Sequence, residues 1–205
     1  MPRSAADAAA GFLALLRAQP IKMGEVAAFL DGLSHEERVA AVRAAGREPQ
    51  RRLYAAAAGH APVRLADLVA PAKAPYETVR HFGRNTLPLF TRFEKRFCRP
   101  PGQDAQAPAE LFGFNFQSMQ PVTGPGYFVA RDDGARGEVL IDYTRVPDSA
   151  PPGWPAPRRN EVGFSRFVYG FMVDRLRRVS EHVTIGSAAR HGREFGSWFL
   201  LCREP

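Results

Sequence analysis

The closing stretch of the chain, "FGSWFLLCRE" from Phe195 to Glu204, constrains the fold more than any other. Read with a period of two, it sets Phe195, Phe199 and Leu201 on one face and Trp198, Leu200 and Cys202 on the other. A strand that is apolar on both faces does not belong in a sheet with one side open to water. It needs a cover on each face, which a closed or strongly curved sheet with a further layer outside it provides.

The same period governs the preceding segments. "ELFGFNFQSM", Glu110–Met119, alternates three phenylalanines with Gly113, Asn115 and Gln117 and reads as a strand. "GYFVARDDGARGEVLIDYTRV", Gly126–Val146, reads as a hairpin turning around Asp133-Gly134 and Gly137. A proline-rich loop containing Trp154 follows. Ser165–Leu176 fits either a short helix or a broad strand. "RRVSEHVTIGSAAR" then alternates, with Val179, Val183 and Ile185 on one side, and His191–Glu194 reads as a turn. At least five antiparallel strands linked mostly as hairpins result.

The first half follows the helical period. Ser4 caps a run carrying Ala8, Phe12, Leu15 and Leu16, which Pro20 interrupts. Met23–Leu30 forms a second helix. "SHEE", Ser34–Glu37, is a capping box that starts a third, with Val39, Val42 and Ala45 on its apolar side and Gly46 as its C′ residue. Pro49 suits the first turn of a fourth, ending at Gly59. Ala61–Glu77 reads as a linker or a surface-hugging connection. In "LPLFTRFEKRFCRP", Leu89, Phe90, Phe93 and Phe97 make a helical stripe, so a short helix is expected there. The fold class is therefore α+β, with a helical segment over residues 1–75 packed on an antiparallel β-barrel or strongly curved sheet over residues 76–205.

Composition narrows the function classes. The 205 residues carry a net charge of +7, but Lys22, Lys73 and Lys95 are the only lysines, leaving 25 of 28 Lys and Arg residues as arginine. These are spread along the chain, a pattern that suits a solvated surface better than a nucleic-acid groove. An interaction or nucleic-acid module would need Arg158, Arg159, Arg175, Arg177 and Arg178 to form one patch. "GFLALL" is too short for a secretory signal and follows Asp7, and no run approaches the roughly 20 apolar residues of a membrane span. A cytoplasmic protein is expected, with Cys98 and Cys202 as free thiols.

Standard catalytic motifs are missing. "TGPGYF", Thr123–Phe128, has two glycines but precedes a strand, which is turn chemistry and not a dinucleotide fingerprint. None of the five histidines pairs at helical spacing, and no metal site is expected. Candidates remain on the strands. Tyr143 and Arg145 share a face, and pointed inward they would anchor a carboxylate or phosphate. His182 lies beside Ser180 and Thr184, opposite Val179, Val183 and Ile185, and could hold a polar ligand group or act as a general base. The phenylalanine stripe has two solutions. Either Phe112, Phe114 and Phe116 line the barrel, or the N-terminal helices cover them and Asn115 and Gln117 face the lumen, where buried amides mark a polar site. The candidate ligand-binding set is Asn115, Gln117, Tyr143, Arg145, His182 and Trp198.

The segment "FMVDRLRRVSEHVTIGSAARHGREFGSWFLLCRE" resembles the closing strands of lipocalin-like (calycin-type) barrels, where a strand of this type precedes a hairpin and a last apolar strand. The plan is also similar to that of a group of bacterial proteins. The hairpin Gly126–Val146 is compatible with that layout, while Gly113-Phe114-Asn115 stands where a lipocalin carries GxW. The resemblance implies a barrel holding a hydrophobic small molecule of fatty-acid, isoprenoid or tetrapyrrole type. It also implies haem as a possible cofactor, since nitrobindin-like barrels hold haem through one histidine, here His182. The alternative is a pocket enzyme of lyase, isomerase or cyclase type, using Tyr143, Arg145, His182, Asn115 and Gln117.

Overall fold

A computed structural model describes residues 4–117, 124–158, 160 and 169–205. Four helices come first: α1 (Ala5–Arg17), α2 (Met23–Asp31), α3 (His35–Ala44) and α4 (Arg47–Ala56). Capping boxes start α1 and α3: Ser4 accepts from the Asp7 amide and Ser34 from the Glu37 amide, and each carboxylate reaches back. Gly46 follows the C-cap Ala45 and so holds the expected C′ position, but its backbone is extended and not left-handed, and it serves at the same time as the N-cap of α4.

Eight antiparallel strands follow: β1 (Val79–Asn85), β2 (Arg92–Cys98), β3 (Leu111–Phe116), β4 (Tyr127–Asp133), β5 (Glu138–Asp142), β6 (Val173–Arg178), β7 (Val183–Arg190) and β8 (Arg193–Arg203). Each pairs with the next, and β8 pairs back with β1, so the barrel is closed. The expected α+β class holds, with the helices packed on the barrel. The tight turn between β7 and β8 is His191-Gly192, with φ of 51° and 76°, the primed geometry that matches strand twist.

Both faces of β8 are covered. Phe199 and Leu201 point into the barrel with Phe93, Phe97, Leu111 and Phe128. Leu200 and Cys202 point outward with Val179, Val183 and Ile185, under Phe12, Leu16, Leu30 and Leu53 of the helices. Polar ties fix this layer: Arg47 donates to the Gly196 carbonyl at 2.6 Å, and Gln50 to the Arg84 carbonyl at 3.2 Å.

Three segments depart from the sequence reading. Arg92–Cys98 is strand β2, not a helix. Phe93 and Phe97 are four residues apart and satisfy both periods, whereas Leu89 and Phe90, which extended the helical stripe, are exposed beyond the strand. The 61–77 linker contains a short helix, α5 (Leu65–Leu68), whose Leu65 and Leu68, with Val63 and Val69, are buried in the barrel core. The described part of the 165–176 segment includes the start of β6 and is not helical, and residues 161–168 lie outside the description.

α5 closes one end of the barrel. His81 on β1 is buried there beneath Phe97, with its Nε2–H donating to the Leu68 carbonyl at 2.9 Å. Burial lowers its pKa to about 3, so the ring is neutral. The phenylalanine stripe faces outward, but the N-terminal helices are not its cover. Trp154 of the proline-rich loop stacks edge-on to Phe114 with ring centroids 4.7 Å apart, and its Nε1–H donates to Thr78 Oγ1. Phe116 stays 41% exposed, with the Arg96 guanidinium 3.8 Å over its ring.

Phe128 lies over Gly113, so that a Cβ there would stand 2.3 Å from the ring and 2.7 Å from the Arg96 carbonyl. The carbonyl belongs to the backbone and cannot move aside. Gly113→Ala is therefore expected to destabilise the protein by about 1–3 kcal/mol, read by chemical denaturation. An unchanged midpoint would contradict this packing.

Candidate functional site

The barrel is filled at the α5 end and hollow at the other. A cavity of ≈ 780 Å³ lies where β1 turns into β2 and β7 into β8. That falls within the roughly 300–1,000 Å³ usual for small-molecule sites. Phe93, Phe199, Tyr169, Met172 and Ala188 form much of its wall. At the rim, Leu87, Leu89, Phe90 and Phe195 line it while being 46–70% exposed.

Four polar side chains form the floor: Lys95 (β2), Asn115 (β3), Tyr143 (just after β5) and Asp174 (β6). Register explains their meeting. Lys95 pairs directly with Asn115 across β2 and β3, and the alternation that points Phe93 and Phe97 inward points Lys95 inward between them. Tyr143 and Asp174 arrive from β5 and β6 on the far side of the lumen. Lys95 Nζ donates to Asn115 Oδ1 at 3.0 Å and to the Tyr143 hydroxyl, and lies 3.7 Å from Asp174 Oδ2. Asn115 Nδ2 donates to the Tyr143 hydroxyl at 3.0 Å. Asp174 Oδ1 is buried and accepts no hydrogen bond from any described residue. Above this group, Tyr143 and Tyr169 stack with their rings 13° from parallel, and Gln117 donates to the Tyr169 hydroxyl at 3.0 Å.

Burial dominates the electrostatics. It lowers Lys95 to about 8 against the opposing pull of Asp174, and it raises Asp174 to about 6 against that of Lys95. The Tyr143 hydroxyl is pushed well above its ordinary range by burial and by the neighbouring Asp174 charge. Near neutrality the floor is thus a desolvated ion pair of zero net charge.

Of the candidates named from sequence, Asn115, Gln117 and Tyr143 line the cavity. Arg145 does not: it is half-exposed and pairs with Glu110 at 3.1 Å, because the chain leaves β5 before it. His182 sits in the β6–β7 turn at the opposite end of the barrel and contacts Arg203, so it cannot ligate a group held in this cavity. Trp198 faces outward under the helices, with Arg47 5.4 Å from its ring. The five residues proposed for an enzyme do not converge as a set. Among the arginines, Arg175 pairs with Asp133 and Glu138, Arg177 with Glu138, and Arg178 with Asp67. Arg159 lies outside the described residues.

Lys95 and Asp174 were missed. The signal was present in "TRFEKRF", a lysine flanked at i−2 and i+2 by phenylalanines, but it becomes visible only once that segment is read as a strand. Among the described residues no group of three or more His, Cys, Asp or Glu side chains can hold a metal ion, and no helix is long and apolar enough to cross a membrane. Comparison with family models, curated proteins and solved structures returns no match to this chain. The resemblance to lipocalin-like proteins thus extends to the closed eight-stranded antiparallel barrel alone.

Between about pH 4 and 6, Asp174 is protonated when folded and ionised when unfolded, so its contribution to stability falls as pH rises. From about 8 to 10.5, Lys95 is neutral when folded and charged when unfolded, so stability rises with pH. The pair is least favourable between these windows. Relative to the double variant Lys95→Met/Asp174→Leu, the wild type should be weakest between about pH 6 and 8 in denaturant titrations. A difference independent of pH would refute this electrostatic account.

Proposed function

We propose that the barrel binds an elongated apolar small molecule, with its chain against the Phe93, Met172, Tyr169 and Phe199 wall and a neutral oxygen head group on the Lys95–Asn115–Tyr143–Asp174 floor. The observation that carries this reading is one chamber of ligand size with apolar walls and a polar base. Rim leucines and phenylalanines exposed to solvent suit the passage of an apolar chain.

Head-group chemistry separates the ligand classes. A carboxylate on this floor would gain Lys95 but would also meet Asp174, whose own partner is that lysine. A hydroxyl meets no such repulsion, since it can accept from the donors and donate to the unpartnered Asp174 oxygen, while a carbonyl, which only accepts, can use the donors alone. This favours an isoprenoid-like or other neutral amphiphile over a fatty acid. His182 lies away from this chamber, so the reading gains no support from the haem ligand that the resemblance implies.

Competition with Nile red tests the reading. Decanol should displace the dye with about tenfold higher affinity than decanoate, a difference of about 1.4 kcal/mol. Asp174→Asn should reverse that order by leaving Lys95 without its carboxylate. Ala188→Trp, which fills the chamber, should abolish dye binding. Dye retained by Ala188→Trp, or the same preference in both proteins, would count against the site.

A further inference from the structure

Lysine is scarce in this chain, and one of its three lysines is where arginine would be the safer cation. Lys22 and Lys73 lie toward solvent, each beside a glutamate, Glu25 at 2.9 Å and Glu77 at 3.1 Å. Lys95 is 2% exposed on the floor of an apolar chamber. A guanidinium stays protonated in such a place, whereas a desolvated amine can give up its proton and become a nucleophile. The centroids of Phe128, Tyr143 and Phe199 each stand 4.9 Å from Nζ, and that of Phe93 5.9 Å. An ion pair serving stability alone would gain by replacement with packed apolar side chains. Here the pair faces a cavity, and one Asp174 oxygen has no hydrogen-bond partner among the described residues.

We infer that Lys95 captures apolar aldehydes or ketones as an imine, with Asp174 moving the protons and Tyr143 and Asn115 holding the amine and the carbonyl oxygen. This rests on the cavity being a ligand site and goes beyond reversible binding. The neutral Nζ attacks the carbonyl carbon, and a C–N bond forms as the carbonyl π electrons pass to oxygen. The proton leaving nitrogen is taken by the Asp174 carboxylate and delivered to that oxygen, giving a carbinolamine. The second nitrogen proton follows the same route to the hydroxyl, the C–O bond breaks, water departs and C=N forms. One amine and one carbonyl become one imine and one water, with no oxidant or reductant. The lowered proton affinity of Lys95 and the raised one of Asp174 suit these roles.

The test incubates the full chain with decanal and cyanoborohydride, which fixes an imine as a secondary amine, followed by intact mass and peptide mapping. The expected product is one decyl group per chain on the peptide containing Lys95, retained in Lys22→Arg/Lys73→Arg and lost in Lys95→Arg. Trapping should accelerate as pH rises toward about 8, where Lys95 loses its proton. Asp174→Asn should slow it by roughly a hundredfold. Labelling confined to Lys22, Lys73 or the terminal amine would overturn the inference. If decanol displaces Nile red while decanal leaves Lys95 unmodified, binding stands and imine capture falls. If neither occurs, the ligand site itself is refuted and the inference with it.

Discussion

The molecule depends on the two-sided burial of β8. Hydrogen bonding to β7 on one edge and β1 on the other closes the barrel and leaves no free sheet edge at the seam. Phe199 and Leu201 commit one face of the strand to the lumen, while Leu200 and Cys202 commit the other to the helices. A one-residue slip would exchange the two sets. Gly186 reinforces the register, since the Phe199 ring covers it so closely that a Cβ would approach within 2.2 Å. The helices are thus the outer half of a core that β8 divides.

Closure has a consequence for chemistry. A lumen packed throughout would have no room for a polar group, and one open throughout would let water screen it. This barrel is packed at the α5 end and hollow at the other, so the four floor residues sit at the boundary. They are buried enough for desolvation to govern Lys95 and Asp174, yet they form the wall of a space. Burying two charges costs several kcal/mol for each ion before their attraction is counted, and a bound molecule supplying hydrogen bonds at that boundary, as proposed, would offset part of the cost.

Much of the plan was legible in the residues. The cap at Ser4, the capping box at Ser34, the Asp133–Gly137 turn and the two-sided last strand each express a local rule, and each local preference agrees with the fold. The inward direction of Asn115 and Gln117 was one of two readings, and the choice needed the register of β3 against its neighbours. β2 escaped because Phe93 and Phe97, four residues apart, serve both periods, and because an alternating strand with a lysine at its centre looks like a solvated face. Asp174 escaped for a similar reason: in "VDRLRR" it is one charge among four in six residues, and only pairing with β5 turns it inward. The floor was hidden because its charged members look like surface in one dimension and become lumen in three.

The central claim is that the chamber beside Lys95 takes up an apolar molecule. Methionine methyl resonances in protein carrying labelled methionine test it directly, because Met172 lines the chamber whereas Met23 lies in the separate core beneath the helices. Titration with decanol should shift the Met172 methyl along a saturable curve and leave Met23 in place. A stationary Met172 resonance, or an equal shift at both methyls, would contradict the account.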